Sequence, residues 1–146
     1  MNMITQECIQ KLKLSLIKHE GYLTHPATDF SGKIKIGIGY DLNERGISDN
    51  WIQNQFMDDV LFFNKSLAEH TKFYNKLNNC RKMVLIEMAF MGLKKFLVEF
   101  SNMFDDLDKG FYKNAAKEII DSSWATSQMD RANQLAESMR TGVYYL

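Results

Sequence analysis

The sequence is poor in the residues that mark disordered, disulfide-stabilised or membrane-spanning proteins. Its 146 residues include one proline and two cysteines, and no apolar run is long enough to cross a bilayer. Hydrophobic residues make up 45% and charged residues 25%, a balance that excludes disordered and fibrous classes. Cys8 and Cys80 lie far apart without metal-type spacing, so we predict free thiols and no metal site. The length suits a single domain, 1–146, with its own core.

The distribution of charge also argues against some classes of partner. The formal net charge is zero, with 18 basic and 18 acidic residues, so overall charge gives little attraction to nucleic acid, which we do not predict as a partner. Residues 1–20 carry Gln, Glu and Lys throughout and contain no continuous apolar stretch, so no signal peptide and no stable membrane insertion are predicted.

The first part of the chain predicts one helix followed by a β hairpin. Apolar residues recur at helical spacing between about residues 5 and 18, and Gly21 ends this amphipathic helix. Three isoleucines then alternate with lysines and glycines over residues 33–39, as in a half-buried strand, and a turn at Ser31-Gly32 closes the hairpin. The isoleucine face is expected to contact the core. Lys35 lies on the opposite face and points to solvent or to a cleft.

From Ser48, a suitable helix N-cap, the pattern is helical to the end of the chain. The segment over about 79–91 is apolar nearly all round, which is typical of a central buried helix. We therefore predict an α+β fold that is predominantly α. It has a hairpin lobe over about 20–47, a connecting helix over about 48–68 and a helical lobe over about 72–146. The N-terminal helix, 5–18, is expected to belong to the helical lobe.

Two carboxylates beside the predicted hairpin point to chemistry. Glu20 ends the first helix, and Asp29 lies just before the turn. Cleavage of a glycosidic bond needs such a pair, because one acid protonates the leaving oxygen while a carboxylate activates water or forms a covalent intermediate. Carboxylates in solvated loops are also common, so both interpretations stay open on this evidence alone.

Other residues form a pattern with this pair. A helix-terminal Glu precedes an Asp and a Gly-Ile-Gly strand, followed by a buried central helix and by a Trp and an Arg seven residues apart. The positions are His19-Glu20-Gly21, Asp29, Ile36 to Tyr40, Leu42, Met83 to Phe90, Trp124, Arg131 and Arg140-Thr141-Gly142. This pattern resembles the phage-type lysozyme (endolysin) family, glycoside hydrolase family 24. One segment, between residues 42 and 48, is shorter than in many members.

The resemblance implies a lysozyme-like, two-lobed fold whose hairpin forms one wall of a cleft. It implies hydrolysis with inversion, without metal or cofactor, of the β-1,4 bond between N-acetylmuramic acid and N-acetylglucosamine in bacterial peptidoglycan. Glu20 would be the general acid in dry or carboxylate-rich surroundings, and Asp29 would stay ionised and orient the attacking water. Leu42 and Phe90 match positions that line the sugar cleft, and Arg131 matches an arginine that reaches Glu20. The resemblance also implies a monomer that waits in the host bacterial cytoplasm before it acts on the cell wall.

Lys35 departs from the family pattern, which usually has Thr six residues after the Asp. A threonine hydroxyl both donates to and accepts from a water, whereas an ammonium only donates. A water held between Lys35 and Asp29 would still allow hydrolysis. An ion pair between the two would take the water's place, and a lysine turned into solvent would do neither. Tyr40, which stands where a His is frequent, weakens the polar network near the cleft.

Three functions therefore remain open from the sequence. The first is an active lysozyme. The second is a lysozyme-like protein that binds glycan without cleaving it, because of Lys35. The third is a helical interaction protein that keeps the scaffold, suggested by the neutral charge and the nine methionines. Gly37 and Gly39 also have two interpretations, either close approach of the strand to a sugar chain or a simple bulge or twist.

Overall fold

The first helix sets the position of Glu20. In the computed structural model, which describes residues 4–145, α1 spans Gln6–Glu20. The Thr5 hydroxyl caps its start by accepting from the Cys8 amide at 3.3 Å. Its end is fixed by Gly21, whose positive φ of 86° suits a residue without a Cβ. The predicted helix is confirmed and runs two residues further, so Glu20 is its last residue. Residues 1–3, part of the segment for which no signal peptide is predicted, lie outside the described residues.

The hairpin is confirmed, and it carries an additional short strand. Strands β1 (Leu23–Thr28), β2 (Ile34–Gly37) and β3 (Tyr40–Asp41) form an antiparallel sheet in the order β1-β2-β3. In register, Lys35 on β2 lies opposite Ala27 on β1 and Asp41 on β3. A one-turn helix, α2 (Leu42–Arg45), follows directly. Strand β3 was not predicted, because two residues are too short to show a period of two.

The isoleucine face of β2 is only partly covered. Ile36 and Ile38 line an apolar pocket of about 660 Å³ within this first unit of the chain, together with Leu42 and Trp51. Ile34, however, is 40% exposed. The expectation that all three isoleucines contact the core is therefore wrong for Ile34, which lies at the turn end of the strand.

The remaining chain is helical, and the predicted α+β, predominantly α class is confirmed. The structure divides into two compact units, one up to Asn54 and one from Gln55. Ser48 caps the long helix α3, as predicted, by accepting from the Trp51 amide at 3.2 Å. The helices are α3 (Asp49–His70), α4 (Asn79–Ala89), α5 (Leu93–Glu99), α6 (Ser101–Asp108), α7 (Tyr112–Ile120), α8 (Ser123–Ser127) and α9 (Met129–Thr141), with a 3₁₀ turn at Tyr74–Lys76.

The fully buried apolar residues of the described chain all lie in the second unit, between Leu67 and Met139. Helix α4 contributes Val84, Leu85, Met88 and Ala89, as expected of a central helix. It is not buried all round, however, since Met83 on its other face is 45% exposed. The two cysteines are free thiols, as predicted. Within residues 4–145, no helix combines the length and the apolar character needed to cross a membrane.

Candidate active site

Glu20 packs against a glycine of the hairpin. A Cβ built on Gly39 would lie 2.9 Å from both Cβ and Cγ of Glu20 and 3.2 Å from its Oε2. The missing side chain at position 39 therefore makes room for Glu20. This role differs from the two considered from sequence, which were close approach to a sugar chain and a simple bulge or twist. The Glu20 side chain is exposed. Residues 4–145 thus do not give Glu20 the dry surroundings expected of a general acid.

Gly39→Ala is expected to displace the Glu20 side chain and to destabilise the protein by about 1–2 kcal/mol, because φ of 68° strains any residue with a Cβ. Gly37→Ala is the matched control, since Gly37 also has a positive φ of 63° but open space where its Cβ would be. Urea unfolding should detect both variants, whereas NMR shifts of the Glu20 carboxyl should move only for Gly39→Ala. Equal shifts in the two variants would contradict the contact.

Asp29 is held by the turn that it begins. Its Oδ1 accepts from the Ser31 amide at 2.8 Å, the Ser31 hydroxyl at 2.7 Å and the Lys33 amide at 3.0 Å. The Asp29 amide in turn donates to the Lys33 carbonyl at 2.9 Å, which closes the loop between β1 and β2. Among the described residues, nothing donates to Oδ2. The turn thus fixes the carboxylate and leaves one oxygen available.

These donors favour the ionised carboxylate. The Ser31 hydroxyl first, and then the Lys33 amide, hold the pKa of Asp29 below its ordinary value of 3.8, with a smaller contribution from the charge of Lys35. Because the folded pKa is lowered, the stability that this charge contributes is present at neutral pH and is lost as the pH falls through the folded value.

Ser31→Ala is therefore expected to raise the pKa of Asp29 more than Lys35→Met does. The serine hydroxyl is the largest cause of the lowered pKa, whereas the charge of Lys35 is the smallest of those that lower it. An NMR titration of the Asp29 carboxyl in the wild type and in both variants measures the two changes. A larger rise in Lys35→Met would contradict this order.

The two lysines of the hairpin have different surroundings. The Lys33 ammonium lies 3.1 Å from Oδ2 of Asp41 and 3.6 Å from Oε2 of Glu44, and these carboxylates raise the pKa of Lys33. Asp41 is only 6% exposed, and its Oδ1 also caps α2. Lys35 is half-buried, and its ammonium forms no ion pair or hydrogen bond with any residue between 4 and 145. The ion pair with Asp29, one of the alternatives from sequence, is therefore not present.

Tyr40 and Leu42 organise the shortened segment after the sheet. The Tyr40 hydroxyl donates to the Gly46 carbonyl at 2.8 Å, and the Arg45 guanidinium lies 4.2 Å from the centre of its ring. Leu42, predicted to bind substrate, lines the apolar pocket beneath β2. Tyr40 thus stabilises this loop, where the resemblance led us to expect only a weakened polar network.

The other two predicted binding residues lie in the second unit. Phe90 and Arg131 both line a pocket of about 460 Å³. The Arg131 Nε donates to Oε1 of Glu87 at 2.8 Å, and the Tyr144 hydroxyl donates to the other oxygen of Glu87. Burial, with Glu87 beside it, raises the pKa of Tyr144 to about 12. The expected contact of Arg131 with Glu20 stays a prediction.

The structure thus brings Glu20, Asp29 and Lys35 into one unit and Phe90 and Arg131 into the other. The sequence predicted the turn at Ser31-Gly32 but not the contact of Ser31 with Asp29, although Asp-Phe-Ser-Gly is a turn signal in which an Asp side chain accepts from the amide two residues on. Sequence reasoning also missed Glu87 and Tyr144, whose pairing over 57 positions left no local signal. Within residues 4–145, no cluster of His, Cys, Asp or Glu has the geometry of a metal site.

Comparison with known proteins gives one informative similarity. No family model matches the chain. The chain is 29% identical over 104 residues to "Probable T4-type lysozyme 1" of Dictyostelium discoideum, an alignment that covers 68% of this chain and 61% of that protein. The chain thus spans about six tenths of the length of this relative. The similarity supports a lysozyme-like family for this chain.

Proposed function

We propose that this chain is a lysozyme, an N-acetylmuramidase of the phage-type, glycoside hydrolase family 24 class. Its substrate is the glycan strand of bacterial peptidoglycan, and its two working carboxylates are Glu20 and Asp29. The observation that carries the proposal is the state of Asp29, whose Oδ1 is fixed by three donors while its Oδ2 stays available. The similarity to a T4-type lysozyme supports the same assignment.

In the proposed mechanism, Glu20 donates its proton to the glycosidic oxygen as the bond to the sugar carbon breaks. Asp29, which is ionised at neutral pH, accepts a proton from a water through Oδ2 while that water attacks the same carbon from the opposite face. The products are a reducing N-acetylmuramic acid and a free hydroxyl on N-acetylglucosamine. Inversion in this scheme needs the two carboxyl groups about 6.5–9.5 Å apart, which leaves room for the water.

The remaining predicted residues have supporting roles in this proposal. Leu42 and Phe90 supply apolar surface for the sugars. Arg131, oriented by its contact with Glu87, binds the substrate. The proposal includes a monomer that needs no cofactor and reaches the wall from the cytoplasm of a bacterial host.

Lys35 supports a second candidate function, a glycan-binding protein without turnover. Its ammonium stands where the family has a threonine, and it cannot accept a hydrogen bond from the water. In the lysozyme proposal, the water accepts from Lys35 and donates to Asp29. In the binding proposal, the ammonium moves onto Oδ2 of Asp29 when glycan binds and excludes the water.

Incubation of the wild type and Lys35→Thr with purified cell walls separates the two functions. A lysozyme lowers the turbidity and releases new reducing ends in its wild-type form. If the wild type pulls down with the walls but releases no ends, while Lys35→Thr releases them, the binding function is correct. No release and no binding by either protein would reject both.

A further inference from the structure

Lys35 is a cation beside the proposed active site, and no carboxylate among residues 4–145 forms an ion pair with it. Lys33 and Lys35 lie two positions apart and share a side of the strand, but only Lys33 is matched by carboxylates. Directly across the sheet from Lys35 are Ala27, which offers no polar group, and Asp41, whose carboxylate already contacts Lys33 and the α2 amides. The ammonium of this half-buried residue therefore lacks an acceptor of its own among residues 4–145.

The position of this cation relates it to Asp29. Lys35 pairs with Ala27, two residues before Asp29, so Lys35 and Asp29 are diagonal neighbours across β1 and β2, yet their charged groups make no ion pair. The Oδ1 of Asp29 is occupied by the turn, so Asp29 presents one acceptor oxygen and Lys35 presents donors. A ligand that binds both groups donates a hydrogen bond to Asp29, from a hydroxyl or through a water, and places an anionic group next to Lys35.

We propose that Lys35 is a specificity-determining residue that binds a carboxylate of the substrate. The inference rests on the proposed function. N-acetylglucosamine and N-acetylmuramic acid joined to a peptide carry no charge on the sugar rings, so the carboxylate comes from one of two sources. It belongs either to the lactyl group of a muramic acid without a peptide or to the stem peptide. A cation at this position favours such strands over uncharged glycans.

The test measures affinity rather than turnover, with calorimetry on four tetrasaccharides. Every protein in it carries Glu20→Gln, so that the glycans are bound without being cleaved, and wild type here refers to residue 35. These are a muramyl glycan with acidic stem peptides, the same glycan with amidated peptide carboxylates, a peptide-free muramyl glycan and an uncharged N-acetylglucosamine oligomer. The wild type is expected to bind one of the two carboxylate-bearing classes about fivefold to tenfold more tightly than the uncharged oligomer. The class that binds more tightly identifies the source of the carboxylate, and added salt should reduce the preference.

Three variants complete the experiment. Lys35→Met should lose the preference, and Lys35→Arg should keep it because the charge is retained. Lys13→Met, which removes an exposed lysine of α1, is the matched control and should behave as the wild type. Equal binding of charged and uncharged glycans by the wild type, or an unchanged preference in Lys35→Met, would overturn the inference while the lysozyme proposal stands. Binding of none of the glycans would overturn both.

Discussion

Glu20→Gln is expected to reduce the release of reducing ends from peptidoglycan by about a thousandfold, within the range that general acid catalysis contributes. Glutamine has nearly the same shape as glutamate, so it should still fit against Gly39, but its amide cannot give a proton to the leaving oxygen. The rate of reducing-end formation, measured on purified glycan strands, gives the effect.

Glu7→Gln is the matched control for this variant. Glu7 lies in the first turn of the same helix, is exposed, and pairs with Lys11 at 2.6 Å. An exposed pair of this kind contributes little to stability, so the variant should keep the wild-type rate. If Glu20→Gln is as active as Glu7→Gln, then Glu20 is not the acid, and the assignment of the site is wrong.

Asp29→Asn is expected to lower the same rate by about a hundredfold or more, because the neutral amide cannot accept the proton of the attacking water. The asparagine oxygen still accepts from the Ser31 and Lys33 amides, so the turn should stay intact. Asp29→Ala removes the charge and the turn together. Amide hydrogen exchange at Ser31 and Lys33 distinguishes the two variants, with faster exchange only in Asp29→Ala.

The pH dependence gives an independent reading of Asp29. Since the carboxylate form of Asp29 is required, the hydrolysis rate should be highest above the pKa of Asp29 and should fall as the pH drops through that pKa. Asp58→Asn, which changes an exposed acid of α3, serves as the control and should leave the rate and its pH profile unchanged. A wild-type rate in Asp29→Asn would show that another group orients the water.

The elements were predictable wherever a local pattern defines them. Helix α1 followed from its apolar spacing and from Gly21, and the hairpin followed from alternating isoleucines and the Ser31-Gly32 turn. Strand β3 was missed because it is too short for a period, and the exposure of Ile34 was missed because alternation says nothing about what covers each position.

The candidate site was less predictable, because its contacts depend on the tertiary fold. The resemblance named Glu20, Asp29 and Lys35, but no local pattern predicts that Gly39 packs on Glu20 or that Lys33, not Lys35, pairs with Asp41. The partner of Arg131 is a similar case, since Glu87 lies 44 positions away in sequence. The residue types indicate the chemistry, whereas the partners of each side chain depend on the tertiary structure.

The identity of the new chain ends is the most direct measurement of the proposed reaction. Purified peptidoglycan is digested with the wild type, the ends are reduced with borohydride, and the resulting sugar alcohols are identified by mass spectrometry. Hydrolysis by Glu20 and Asp29 predicts reduced muramic acid at each new end. Reduced glucosamine, an anhydro sugar or no new ends at all would contradict the account.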